Sequence, residues 1–270
     1  MTRPAHAVPP RGVPILMYHE VTPHPDASFR KYCVTPRAFA AQMRWLAATG
    51  YTSISLDTLL DARGGMRPLP ARPVVITFDD GFRDCVRYAA PLLAKFGFTA
   101  TFYLVAGLVG RASRWLRQEL APELPLADWD AVRTLIETGH TCGAHTLTHP
   151  RLAQVSAAAC REELVRSRET LEDYLAQPVR HLAYPFGSYD ERVRATAVDA
   201  GYRSACSVQV GLFSPGDDVF ALRRVPITGF DTLPDFIVRL RTARTPGELL
   251  QRRVSAALRA LRRLSAARHP

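Results

Sequence analysis

Apolar residues in this chain fall into short continuous runs that alternate with stretches of helical period, and the alternation repeats from end to end. Val13 to Tyr18 is a buried-strand pattern that delivers a polar residue, His19, at its C-terminal end. A helix is expected next. Thr35 is its N-cap, Pro36 takes the first position, Phe39, Met43 and Leu46 share one face, and Gly50 stops it. Tyr51 to Ser55 reads as a strand, the proline-rich segment 66–73 as a loop, and Val74 to Phe78 as a β-branched buried strand. A helix from Arg83 to Phe96 ends at Gly97, Thr99 to Val105 is a strand, and Asp128 opens a helix that Gly139 closes. A strand around Thr141 leads into His145. Helices over Ser156–Ala176 and Tyr189–Ala200 then alternate with strands over His181–Tyr184, Arg203–Val208 and Leu222–Thr228.

Strand and helix alternating over roughly 230 residues imply a parallel sheet covered by helices, closed as a barrel or doubly wound. In either closure the loops after strand C-termini build the site. The chemically loaded residues stand in those places: His19 after the first strand, Asp79 and Asp80 after the Val74 strand, His145 and His149 after a middle strand, and Tyr184-Pro185-Phe186-Gly187 after a later one.

Composition narrows the picture. With 270 residues, 47% of them hydrophobic and 22% charged, the chain fits one globular domain, and no repeat or low-complexity linker divides it. The net charge of +10 raises nucleic acid as a partner, but no base-reading motif accompanies it, so nucleic acid is not expected. The first 11 residues lack a signal-peptide apolar run, and nowhere do about 18 apolar residues run together. Five scattered cysteines without a CxxC pair read as free thiols of a reducing compartment, which gives a cytoplasmic expectation. The layout expected is a flexible N-terminus (1–12), a barrel domain (13–245) and a basic amphipathic C-terminal helix (246–270). On that helix Leu250, Val254, Leu258 and Leu261 share a face and Arg252, Arg253, Arg259 and Arg263 lie mainly off it. Packing on the barrel is the plainer reading of that face, with contact to the inner face of a membrane as the other.

Thr77-Phe78-Asp79-Asp80-Gly81 sets two adjacent carboxylates at a strand end before a glycine that lets the backbone turn. Neighbouring side chains on a strand point to opposite faces, so both can serve one site only through such a turn. The plain alternative is an N-cap Asp beside a turn Asp. His145 and His149 are spaced i and i+4, one above the other if the segment is helical, as two ligands of one cation require. Two His and one Asp make a three-ligand site with an open position for water. Cys142 near them reads as a small buried strand residue. Trp115, Trp129, Phe213 and Phe230 read as core before they read as a floor for a sugar ring.

The strings VVITFDDGF, GHTCGAHTLTHPRL and AYPFGSYD, in that order, resemble the successive motifs of the polysaccharide deacetylase (NodB-homology) family, also called carbohydrate esterase family four. The opening VPILMYHEV, followed by YCVTPRAFAAQMRWLAATGYTSISL, is similar to the branch that includes poly-N-acetylglucosamine deacetylases, and the resemblance covers residues 13–228. It implies an α/β fold, a distorted (β/α)7 barrel. It implies a hydrolase that removes the N-acetyl group of an amino sugar with one divalent ion, most often Zn2+, with Co2+, Ni2+ or Mn2+ as alternatives. Residue by residue, it implies Asp79 as general base, Asp80, His145 and His149 as metal ligands, and Tyr184, Pro185 and Phe186 as the stretch whose Phe186 N–H holds the oxyanion.

Two positions depart from the family pattern. Ala183 stands where most members carry the arginine that orients the base, and Arg223 or Arg224 could supply that charge instead. The C-terminal Leu-x-His that usually provides the acid is missing, and in the branch with the MYH opening the N-terminus fills the role, which points to His19. Two further readings stay open: deformylation or deacylation of a lipid- or nucleotide-linked amino sugar, and a catalytically silent carbohydrate-binding relative.

Overall fold

The computed structural model describes residues 12–119 and 121–251. Its elements in chain order are β1 (Ile15–Tyr18), β2 (Glu20–Val21), β3 (Cys33–Val34), α1 (Pro36–Ala48), β4 (Thr52–Ser53), α2 (Leu56–Arg63), β5 (Pro73–Phe78), α3 (Ala90–Lys95) and β6 (Thr101–Leu104). They continue with α4 (Trp129–Glu137), β7 (Thr141–Ala144), α5 (Ala157–Leu175), β8 (His181–Ala183), α6 (Glu191–Asp199), β9 (Ser204–Val210), β10 (Leu222–Pro226) and α7 (Leu233–Thr242). Most helices start where a side chain can satisfy an orphan N–H. Thr35 Oγ1 accepts from the Ala38 N–H at 3.2 Å, and Ser55, Asp128, Ser156, Asp190 and Thr232 do the same work for their helices.

Seven strands close into a parallel barrel in the order β1-β10-β9-β8-β7-β6-β5, because β1 pairs with both β10 and β5. β4 extends the sheet outside β5, and β2 pairs with β3 apart from it. Both faces of most barrel strands are largely apolar, as a barrel wrapped in helices requires. Ile15, Val75, Tyr103, Ala183, Cys206 and Leu222 pack together in one cluster, while Leu16, Tyr18, Ile76, Phe78, Phe102 and Leu182 join the larger core that includes helix residues. Period two then decides what lies at the mouth: Ile15 and Met17 lead to His19, and Val75 and Thr77 lead to Asp79.

The structure departs from the sequence reading in several places. The helix expected over Arg83–Phe96 does begin at Arg83, but a π-helical stretch over Cys85–Ala89 interrupts it before the α-helical turns over Ala90–Lys95. Pro91 explains the break, since it has no N–H to donate to the preceding turn. Helices α2 and α7 were not expected, nor the two-residue strands β2 and β3. Residues 246–251 are helical, and the remainder of the expected C-terminal helix, like residues 1–11, lies outside the described residues. No helix among the described residues is long and apolar enough to cross a membrane.

Candidate active site

Hydrogen-bonding of the barrel sets the two aspartates. The Asp79 N–H donates to Tyr18 O at 3.0 Å, which places Asp79 one step beyond the paired ends of β5 and β1, level with His19. Asp80 and Gly81 then both take left-handed backbone conformations, φ +74° and +75°. This is the turn that brings the second carboxylate round to the same side. Left-handed geometry is costly for a residue with a Cβ, and such strain collects at functional sites. Asp80, Thr146, His149 and Phe186 are four of the six non-glycine residues with positive φ among the described residues. The other two, Ala176 and Ala243, cap the C-termini of α5 and α7.

His145 and His149 meet Asp80 from the loop after β7. The segment is not helical, contrary to one way of reading the i, i+4 spacing: it bends through Thr146 at φ +65° and returns at His149, φ +68°. The His149 N–H donates to Thr146 Oγ1 at 3.0 Å, closing the bend. Nε2 of His145 lies 3.3 Å from Asp80 Oδ1 and Nε2 of His149 lies 3.2 Å from the same oxygen. Ligands bonded at about 2.0–2.2 Å to a tetrahedral zinc lie about 3.4 Å from one another, so these separations fit three corners of such a site. All three residues are buried and their ligand atoms lie within 4.8 Å of one another. His145 Nδ1 lies 2.7 Å from Ala183 O; donating to that carbonyl fixes the tautomer that leaves the Nε2 lone pair facing the cluster.

The electrostatics agree with a cation-binding role. Burial alone would push the Asp80 carboxyl up, but the facing His145 and His149 rings outweigh it and hold it well below the usual carboxylate range. Burial pushes His149 down to about 4, so its neutral, ligating form is the resting one. Trp115 stacks on its ring at 4.2 Å and Phe186 meets it edge-on at 4.7 Å.

Asp79 has a different partner. Arg224, fully buried inside the barrel on β10, reaches both carboxylate oxygens at 2.7 Å and also donates to Thr77 Oγ1 at 3.2 Å and Ser207 O at 3.0 Å. Burial would raise the Asp79 pKa, yet the Arg224 charge and its hydrogen bonds prevail and keep the carboxyl ionised below its ordinary value. Arg223 points elsewhere, to Asp217 at 2.5 Å, so of the two arginines left open by the sequence it is Arg224 that meets the aspartate. Arg223 takes no part in the cluster.

These groups share a cavity of about 610 Å³ lined by His19, Asp79, Asp80, His145, His149, Trp115, Tyr184 and Phe186 among others. The His19 ring packs on Tyr32 at 4.8 Å, and burial lowers its pKa below the usual histidine value despite the nearby carboxylates. Phe186 sits at φ +56° in a short turn over Pro185–Gly187. Its ring lies under the Arg151 guanidinium at 3.9 Å, and Arg151 is in turn paired with Glu119 at 2.7 Å. Tyr184 lines the cavity while its hydroxyl donates to Phe220 O at 3.0 Å; Pro185 is buried in the turn and is not part of the lining. Trp115 belongs to the cavity although its surroundings in sequence gave no sign of it, whereas Trp129 stacks on Tyr174, Phe213 is core and Phe230 is 63% exposed. Cys142 is buried on β7, and all five cysteines are unpaired.

A family profile described as polysaccharide deacetylase matches residues 66–205. YxkH of Bacillus subtilis (strain 168), which carries a polysaccharide deacetylase name, is 26% identical over 220 residues, covering 81% of this chain and 72% of that protein. The poly-beta-1,6-N-acetyl-D-glucosamine N-deacetylase of Escherichia coli (strain K12) is 29% identical over 146 residues, which are 51% of this chain and 22% of that longer protein. Among solved structures, the Streptococcus pyogenes deacetylase PplD in complex with acetate superposes with a TM-score of 0.74 at 24% identity, covering 85% of this chain and 98% of PplD.

Proposed function

Because the chain belongs to the polysaccharide deacetylase family, and is thus a hydrolase of carbon–nitrogen bonds other than peptide bonds, we propose that it is a metal-dependent deacetylase of an N-acetylated amino sugar. The observation that carries the reading is the division of labour between two adjacent carboxylates. Asp80 is turned toward two histidines at ligand spacing, and Asp79 is locked by Arg224 in the ionised state that a base needs.

Asp80, His145 and His149 would hold the cation, with zinc suited to this donor set. A divalent ion there supplies Lewis-acid polarisation of the amide carbonyl and acidifies water toward neutrality. Asp79 accepts the proton of the attacking water at its carboxylate, and Arg224 keeps that carboxylate oriented. The Phe186 N–H, presented by the left-handed turn, donates to the oxygen that becomes negative as the carbonyl carbon turns tetrahedral. His19 protonates the departing nitrogen, without which an amine is a poor leaving group. Acetate and a free amino sugar leave the cavity.

The poly-N-acetylglucosamine name of a relative supports a β-linked N-acetylglucosamine polymer as the first substrate to try. Arg224 also answers the strongest sequence argument for a silent relative, since it fills the role that Ala183 leaves vacant. Acetate release from a panel of N-acetylated monosaccharides and oligosaccharides, with and without chelation, tests the proposal. Asp80→Ala, His145→Ala and His149→Ala should lose metal and activity together, whereas Asp79→Asn should keep the metal and lose at least about a hundredfold in turnover. Full activity in exhaustively chelated enzyme defeats the reading.

A further inference from the structure

The loop that carries both histidines is gripped from two sides. On one side the carbonyls of Thr146 and Leu147 accept from the N–H groups of Ala106 and Gly107, at 3.0 and 2.9 Å, in the turn after β6. That approach needs a glycine, since a Cβ on Gly107 would lie 2.7 Å from Leu147 O. On the other side stands Glu163, a half-buried residue of α5, 14 residues beyond His149 in the chain. Its Oε2 accepts from the consecutive N–H groups of Leu147 and Thr148, both at 2.8 Å, and its Oε1 accepts from the Thr148 hydroxyl at 2.5 Å.

Two consecutive amides converging on one oxygen form an anion-binding concavity, here filled from within the protein by a carboxylate. Three charge-assisted bonds are worth more than neutral ones, and they act on two of the three residues between the histidines, Leu147 and Thr148. Those residues span a segment that enters and leaves its bend through left-handed conformations at Thr146 and His149. Without an external hold, such a segment relaxes toward ordinary backbone geometry, and the relative placement of the two Nε2 atoms changes with it. His145 is held additionally by its N–H to Leu104 O at 2.8 Å and its ring to Ala183 O at 2.7 Å. His149 has only the Thr146 bond on its backbone side, and its Nδ1 is buried without a partner. The loop's own clamp therefore matters most for His149.

We infer that Glu163 is the positioning residue of this loop, fixing His149 where it can share a cation with His145 and Asp80. The inference rests on the metal reading above, and the test separates the two. Zinc affinity of wild type, Glu163→Ala, Glu163→Asp and Glu163→Gln would be measured by competition with a chromophoric chelator, alongside the visible spectrum of the cobalt-loaded proteins and the melting temperature of each metal-free protein. Groups that orient a metal ligand typically contribute about 10–100-fold to affinity, so Glu163→Ala should weaken zinc by that factor and alter the cobalt bands. Glu163→Gln should stay within about threefold of wild type, because its amide oxygen accepts from both N–H groups and the Thr148 hydroxyl rotates to accept from its NH2. Glu163→Asp, one methylene short of spanning both amides, should fold as wild type does and fall between the two, which keeps the test decisive if the alanine variant is insoluble. Wild-type zinc affinity and an unchanged cobalt spectrum in the alanine or the aspartate variant overturn the role given to Glu163. Failure of the wild type itself to bind zinc or cobalt overturns the metal reading instead.

Discussion

Arg224 and Asp79 are a buried ion pair at the floor of the cavity, and that makes each one expensive to remove alone. Deleting one partner of a buried pair leaves an uncompensated charge, at a cost of about 3–5 kcal/mol. Arg224→Met should therefore lower the melting temperature by about 10 °C on the scale of about 2–4 °C per kcal/mol for a chain of this size, a shift that calorimetry would read directly. Metal content should survive, because Arg224 touches none of Asp80, His145 or His149. At His19 the expected signature is kinetic. General acids contribute about 10²–10⁴-fold, so His19→Gln should lower kcat by that order with melting temperature nearly unchanged. An acid works only while protonated, and burial lowers the His19 pKa. Activity should accordingly decline as pH rises through a value on the acidic side of the usual histidine range, and this limb of the profile should vanish in the variant. A His19→Gln enzyme with wild-type kcat and the same pH profile would remove His19 from the mechanism.

At the scale of elements, α2 is the piece that ties the lower rim of the barrel. Asp57 in its first turn pairs with Arg180 at 3.1 Å and with Arg203, and lies 3.6 Å from His181 Nε2, so one helix holds the entry ends of β8 and β9. The His181 ring first, and then the two arginines, hold the Asp57 carboxyl below the usual range against the opposing effect of burial. A depressed folded-state pKa means that this stabilisation is complete above the unfolded value of about 4 and is lost as pH falls through the folded one. Asp57→Asn should thus melt about 2–4 °C lower near neutrality and show a flatter loss of stability below pH 4, which melting curves across pH would reveal. None of this helix was anticipated, though Ser55 offered a usable N-cap; an eight-residue helix directly after a short strand gives too few turns for its period to stand out. The long helices α1, α4 and α5 and the strand β5 were legible because a cap, a period or a β-branched run marked each. The convergence of Asp80, His145 and His149 was legible from spacing and motif together, although the loop that joins the histidines reaches its geometry through left-handed turns that spacing does not encode. Leu222-Arg223-Arg224-Val225 could not be resolved by pattern alone: both faces of a barrel strand are covered, so buried Leu222 and Val225 flank the arginines without saying which one turns inward. Glu163 carried no local sign, since on α5 it looks like any polar residue of a surface face.

For the whole molecule, the proposed cation binding would be linked to folding. The three residues proposed to hold it come from loops after β5 and β7, and an ion that binds only the folded chain stabilises it by about 2.7 kcal/mol at a hundred times its dissociation constant. Chelation should therefore lower the melting temperature by about 5–10 °C and readdition of zinc should restore it. An identical melting curve for chelated and zinc-saturated protein would show that no ion is held.

The barrel closes by setting β10 between β9 and β1, and β10 brings Arg224 to an aspartate 145 residues earlier in the chain. On a ribosome adding about 5–20 residues per second, roughly 7–30 s separate the synthesis of these two partners. For about the second half of that interval the nascent chain already carries Asp79, Asp80 and both histidines, but it lacks the guanidinium that makes burial of Asp79 tolerable. Asp79 can be buried and ionised only after β10 docks. On the proposed mechanism, hydrolytic competence is thereby deferred until β10 has been made and docked, and a growing chain that carries only Asp79, Asp80, His145 and His149 is not yet an enzyme.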